Sequence, residues 1–301
     1  MNDSAFRAMQ RLLPCLALAA LGLPPCAAQD EPATAPTRPP DATPRPVDAI
    51  TFEALLDQVR AAHRPTAAGR PLDRFHATLR YTPARVQEDS VEVDLDVTYL
   101  EPGFLRYRVE EPGQTLEKGF DENGAWSLVG KQLNRLQGKT HATDRAHVKR
   151  DLGIARQLLR LLDPAAVLAR LESPSAPLRS RFKLNEKDHA EVWVVRGRVA
   201  EFPLHTPGPD GATTAPAELQ VTIDAKTGLL HAIESQPLDP AGAASGPREG
   251  VVLRDMVEHD GLVLPRELFL YRNRERQARV GIRAIDLAPD AVTPATVRRP
   301  G

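Results

Sequence analysis

The side chains of this 301-residue chain that could do chemistry fall into a few sets. His141, Asp144 and His147 follow one another at three-residue steps, which could present three metal donors along one helix. Such steps drift around the helix, however, and His141 stands where a helix would begin, so a solvated N-terminus is the reading adopted. None of the other His residues has an H-E-x-x-H spacing. Glu92, Asp94 and Asp96 look like a comb of catalytic carboxylates, but alternation along a strand turns all three to solvent. Gly113 to Gly119 encloses Lys118, yet that Lys precedes the last Gly and no Ser or Thr follows, so a phosphate loop is not supported. No Ser stands in a G-x-S-x-G context, which leaves a nucleophile unsupported. Arg145, Lys149, Arg156 and Arg160 form a basic stripe that either faces water or docks an anionic headgroup or partner. No catalytic residue, metal or cofactor is expected, and the chain is read as a non-enzyme.

What must position these residues is a sheet. From Phe75 to Gly130 the sequence reads as an antiparallel meander. Val91, Val93, Leu95, Val97 and Tyr99 alternate with Glu92, Asp94, Asp96 and Thr98, the period of a half-buried strand. Glu101-Pro102-Gly103 turns the chain, and Leu105, Tyr107 and Val109 alternate with Arg106, Arg108 and Glu110 on the way back. A turn at Pro112-Gly113 leads into residues 115–121, and Asn123-Gly124 signals the next hairpin before Trp126. Phe75, Leu79 and Tyr81 mark a strand ahead of these.

The period then changes to that of a helix. Between Thr143 and Glu172, Val148, Leu152, Ala155, Leu159 and Leu162 share one side, and Asp163-Pro164 caps a second short helix. An apolar arc this wide needs an apolar partner, and the greasy face of the meander is the available one. Strands resume at Leu178. Residues 219–224 and 229–235 flank Ala225-Lys226-Thr227-Gly228, and residues 250–258 and 262–271 flank His259-Asp260-Gly261. Residues 206–217 and 238–247 are polar, Gly- and Pro-rich loops. The expected fold is mainly β (α+β): a curved antiparallel sheet of about ten or eleven strands forming a half-barrel, with an inserted helical lid.

Hydrophobic residues make up 42% and charged residues 26%, enough to bury a core. A formal net charge of −1 offers no reason to expect nucleic acid as a partner. At the N-terminus, Arg7 and Arg11 precede the apolar run 12–23, which is too short to span a bilayer, and Cys26-Ala27-Ala28 offers a cleavage site. Residues 1–28 are therefore expected to be a signal peptide, cleaved after Ala28. Pro25 before Cys26 and Pro14 before Cys15 disfavour lipidation, and cleavage removes both cysteines. Residues 29–47 read as a Pro-rich disordered tether. A single domain is expected over 48–291, with the lid at 143–172 and a tail at 292–301. It opens on a helix capped at Thr51, with Leu55, Leu56 and Val59 on one face.

The order of these elements resembles a known family. A helix, then Phe75-His76-Ala77-Thr78-Leu79, a strand ending in Tyr99-Leu100-Glu101-Pro102, then Phe104-Leu105-Arg106-Tyr107, then residues 120–126 is similar to the periplasmic lipoprotein carriers of the Lol type. The likeness is strongest over residues 50–130. It implies a half-barrel whose concave apolar face, lidded by helices, holds acyl chains. It also implies a periplasmic location and a lipid or lipidated protein as cargo. Here the domain is longer than the carriers' usual size, and Glu101 stands where they place a basic residue that holds the lid. An acid can take the other half of that bond, so Glu101 is expected to latch the lid through Arg145, Lys149, Arg156 or Arg160.

The candidate apolar site is Phe75, Leu79, Leu95, Val97, Tyr99, Leu105, Tyr107, Phe120, Trp126, Leu152 and Leu159. These residues either line a cavity or fill a core. The first reading is an exported monomeric binder of an acyl chain, lipid or lipoprotein lipid moiety, with a role in lipoprotein sorting or transport. It binds no nucleic acid and does not span a membrane. The alternative is a periplasmic sensor or scaffold module that binds an envelope protein. An open elongated cavity favours the binder and a filled core favours the scaffold.

Overall fold

The computed structural model describes residues 50–64, 72–84, 92–111, 114–184, 188–203, 214–287 and 289–299. The expected signal peptide and tether lie outside the described residues, as do Val91, the Pro112-Gly113 turn and most of the 206–217 loop.

Helix α1 (Phe52–His63) starts where Thr51 Oγ1 accepts the Ala54 amide at 3.2 Å, with Glu53 in the first turn. Strands β1 (Arg74–Pro83), β2 (Val93–Leu100), β3 (Phe104–Glu111), β4 (Gln114–Asp121), β5 (Gly124–Val129) and β6 (Gln132–Arg135) follow as a meander. Helices α2 (Ala142–Leu161) and α3 (Pro164–Leu168) come next, and Asp163 Oδ1 accepts the Ala166 amide at 3.3 Å to cap α3. Strands β7 (Leu178–Lys183), β8 (His189–Pro203), β9 (Thr214–Asp224), β10 (Leu230–Pro237), β11 (Glu249–His259), β12 (Leu262–Arg272) and β13 (Glu275–Leu287) complete the sheet before the short α4 (Pro294–Val297). The expected hairpins at 225–228 and 259–261 are present. Gly228 is left-handed at φ 76°, while Asp224 Oδ1 accepts the amides of Lys226 and Thr227.

The thirteen strands of the described residues form one antiparallel sheet in the order β6-β5-β4-β3-β2-β1-β13-β12-β11-β10-β9-β8-β7. The sheet is open, neither closed nor strongly curled, which corrects the expected half-barrel of ten or eleven strands. The undercount has a physical cause. β6, one of the two edges, is short and largely exposed, so it lacks the buried alternation that marks a strand in sequence, whereas β7 at the other edge starts where strands were expected to resume, at Leu178. The chain begins mid-sheet at β1, walks out to β6, and resumes at the opposite edge with β7. The segment between must therefore cross a face, and that crossing contains α2 and α3.

One face is consequently covered. Leu55 and Val59 of α1, Leu152 and Leu159 of α2 and Leu168 of α3 share a core with inward residues of β1–β3 and β8–β13. α2 packs on β3, β4 and β5 and also reaches β8. α1 is pinned by His63, fully buried: its Nε2 accepts the Leu230 amide at 2.9 Å and its Nδ1 faces the Val263 carbonyl at 3.1 Å. The ends of α1 and α3 are joined by Arg64 and Asp163 at 2.5 Å.

The other face is charged, as alternation predicts. Arg80 pairs with Asp94 at 2.8 Å, His76 with Asp96 at 3.0 Å and Arg106 with Glu117 at 2.7 Å. Residues 292–299, read from the sequence as a tail, pack against this part of the sheet. Val292 and Val297 are buried with Leu100, Arg106 donates to the Thr296 carbonyl, and Arg298 pairs with Glu122.

Candidate functional site

The inward rows of β1–β4 are in register. Phe75 lies opposite Tyr99, Tyr99 opposite Leu105 and Leu105 opposite Phe120. A second row runs Ala77, Val97, Tyr107, Lys118 and Ser127, and a third Leu79, Leu95 and Val109. Leu152 and Leu159 close over them from α2. The structure thus brings together ten of the eleven residues expected at the apolar site, all buried except the half-buried Phe120. They pack as core, with the Phe75 and Tyr99 rings 5.7 Å apart.

Trp126 is the exception. It lies opposite Gly119, and the row of Gly119 faces away from the helices. The indole lies across that glycine, where a Cβ would collide with the ring and with the Leu105 carbonyl.

Polar contacts hold α2 at its two ends. At the C-terminal end Arg160 Nη2 donates to Glu101 Oε1 at 3.3 Å, with the side chains 30% and 26% exposed. Arg156 donates to the Pro102 carbonyl and lies over Gly103. The Tyr99 hydroxyl is buried beside Glu101 and Arg156 without a well-formed hydrogen bond; burial, reinforced by the Glu101 carboxylate, pushes its phenol up. Arg145 is placed elsewhere, on the carbonyls of Leu136 and Gly138 at 3.2 and 3.0 Å. Lys149 is half-buried on the same helix.

At the N-terminal end lies a cluster that joins residues of two unrelated sequence motifs, Lys118 of the 113–119 stretch with Asp144 and His147, to Asp151. Lys118 is 7% exposed, with Nζ 3.8 Å from Asp144 Oδ1. Asp151 is equally buried. Its Oδ1 accepts from Arg150 at 3.1 Å, while its Oδ2 has no partner. Burial pushes the Lys118 ammonium down against the pull of Asp144 and Asp151, and burial together with Asp151 pushes the Tyr107 phenol up. His147 nearby is lowered by burial and by Arg150. The signal was present in the alternation itself: Leu116, Lys118 and Phe120 occupy the inward positions of β4, so the Lys must enter the covered face. Among the described residues no three His, Cys, Asp or Glu are grouped to hold a metal ion.

The class defined by this architecture is a single open antiparallel sheet with one apolar face roofed by helices. The chain is similar to an outer membrane lipoprotein-sorting protein domain from Vibrio parahaemolyticus, at 9% identity and TM-score 0.42, over 82% of this chain and 95% of that one. It is also similar to a LolA superfamily protein from Nitrosomonas europaea, at 11% identity and TM-score 0.39, over 83% and 99% of the two chains. A DUF1329 family protein from Desulfovibrio piger matches at 8% identity and TM-score 0.41, over 82% and 97%. No protein-family profile matches the chain, and no curated protein does.

Proposed function

We propose that this is an exported, non-catalytic binding protein whose helix-covered face takes an apolar chain, with α2 as the lid. The ligand class is an acyl chain, free or attached to a lipidated protein, and the setting is the periplasm. The observation that carries the reading is how α2 is joined to the sheet. A core under a helix is built mostly of apolar side chains, and its buried polar atoms are mostly paired. Here Lys118 and Asp151 are buried in that interface, and the Tyr99 hydroxyl is buried without a well-formed hydrogen bond. Each such group costs stability when closed and regains water when the helix lifts. Lifting α2 would uncover the rows of Phe75, Val97 and Leu79, and each methylene then buried by a ligand contributes about 0.8 kcal/mol. Export rests on the sequence of residues 1–28. Among the described residues no helix is long and apolar enough to cross a membrane.

The test is titration with a fluorescent fatty acid, alongside thermal unfolding of wild type and Leu105→Asp. Saturable binding by wild type supports the lid. A folded wild-type protein that binds no probe, with Leu105→Asp unfolded, overturns it in favour of the second reading. That reading is a sensor or scaffold for an envelope protein, and the observation favouring it is that the ten apolar residues pack against one another as filled core.

A further inference from the structure

The uncovered face carries a recess at the other half of the sheet. Phe182, at the end of edge strand β7, lies against β10 and β11. Its ring stacks on His231 with centroids 5.4 Å apart, and the Arg254 guanidinium covers it at 5.7 Å. Arg254 also donates to the Leu184 carbonyl at 2.6 Å, holding the strand end in place. Between Phe182 and the β12–β13 turn lies a cavity of about 210 Å³. Ala232 and Val252 face each other across its floor, as do Glu234 and Gly250, with Tyr271 beside Gly250.

Two guanidinium groups stand at its rim and differ in state. Arg248 is paired with Glu234 at 3.5 Å. Arg274 has no acidic partner among the described residues and is exposed. Asn273 and Arg274 are the two residues of the β12–β13 hairpin loop, both left-handed at φ 49° and 71°, as the twist of such a hairpin favours. Asn273 is tied in place, its Oδ1 accepting the Arg248 amide at 3.0 Å and its own amide donating to the Arg248 carbonyl at 2.8 Å. Arg274 lines the hollow beside that turn. The hollow is smaller than the ~300 Å³ at which drug-sized sites begin, and corresponds to about seven water volumes. An aromatic ring with a short arm fits that space.

We propose that this recess binds a small carboxylate with a compact apolar body, an arylacetate in size. The ring lies on Val252, Tyr271 and Phe182, and the carboxylate meets Arg274. The site is on the face opposite α2 and stands or falls independently of the acyl-chain reading.

The experiment is a fluorine NMR titration of the full chain with 4-fluorophenylacetate and with its amide. Wild type gives a saturable shift with the acid and binds the amide about tenfold more weakly, the worth of one charge-assisted hydrogen bond. Arg274→Gly keeps the fold, because φ 71° suits glycine, and binds acid and amide alike. Gly250→Leu abolishes the shift. A Cβ at that position would meet Glu234 Cγ at 3.5 Å and Tyr271 Cβ at 3.8 Å, ordinary contacts, so the added side chain grows into the recess. No saturable shift in the millimolar range overturns the proposal, as does equal binding of acid and amide by wild type. Undiminished binding by a folded Gly250→Leu variant overturns the location. Should that variant not fold, Arg274→Gly with the two probes still decides.

Discussion

Glu101→Ala and Arg160→Ala, made singly and together, measure how firmly α2 is held. The two side chains meet through one Nη2–Oε1 contact of 3.3 Å, and about a quarter to a third of each remains exposed. Exposed pairs contribute ~0–1 kcal/mol, and breaking fully buried ones costs ~3–5 kcal/mol. A single contact rather than a bidentate fork, with solvent screening at that exposure, puts the coupling near the lower class, at about 1 kcal/mol. That corresponds to roughly a fivefold change in an opening equilibrium. The assay is a double-mutant cycle by urea unfolding, with amide exchange read over α2. The single variants should speed exchange in α2 more than in β9 to β12, whose core does not involve the pair. Arg145→Ala is the control: its guanidinium bonds the Leu136 and Gly138 carbonyls, so it should not couple with Glu101. Coupling of zero with unchanged α2 exchange would refute the latch and leave Glu101 an ordinary turn residue.

Lys118→Met should leave the protein as stable or raise its stability at neutral pH by about 1–2 kcal/mol, because an apolar chain of similar length replaces a buried charge that its surroundings do not fully compensate; a clear loss of stability in chemical unfolding would show that Lys118 is needed structurally. His63 is held neutral by burial and by the Leu230 amide, so its folded pKa lies below its unfolded one; its contribution is complete above the usual value of 6.5 and is lost as pH falls below it. His63→Asn should therefore cost about 1–3 kcal/mol at neutral pH and show a smaller loss than wild type between neutral and mildly acid conditions, which parallel urea titrations would reveal; the pH dependence left in the variant belongs to His147 and His231, lowered in the same direction. Gly119→Ala should lose about 1–3 kcal/mol in thermal unfolding, since the new methyl meets the Trp126 ring and a backbone carbonyl that cannot step aside; an unchanged midpoint would mean that the strand relaxes freely.

Much of the covered face was legible in the residues alone. Side-chain direction in a strand has period two, so the alternation of Leu95, Val97 and Tyr99 with Asp94, Asp96 and Thr98 sorts them to opposite faces before any partner strand is known. The same holds for the helix. The apolar arc of Val148, Leu152, Ala155 and Leu159 requires a covering partner by its own periodicity, and Asp163-Pro164 announces its neighbour. Local chemistry also determined the Gly228 and Gly261 turns, because a left-handed backbone favours glycine.

Tertiary structure decided what depends on which strands meet. Trp126 illustrates this: its face follows from its register opposite Gly119, and a Trp near a hairpin carries no signal of register by itself. The sequence narrowed the partner of Glu101 to four basic residues. Which of them comes within reach depends on how α2 crosses the sheet: Arg160 stands at 3.3 Å, and Arg156 donates to the next carbonyl. The burial of Lys118 beside Asp144, the bridging role of His63 and the hollow beside Arg274 each join segments distant in the chain. The edge β6 was missed for the converse reason. An edge strand is held by backbone pairing to one neighbour, and backbone hydrogen bonds leave no pattern in side-chain hydropathy. Sequence therefore determined the faces of the elements, through periods intrinsic to the backbone, while pairing, sheet edges and the polar clasp of α2 were set by long-range contacts that no local period encodes.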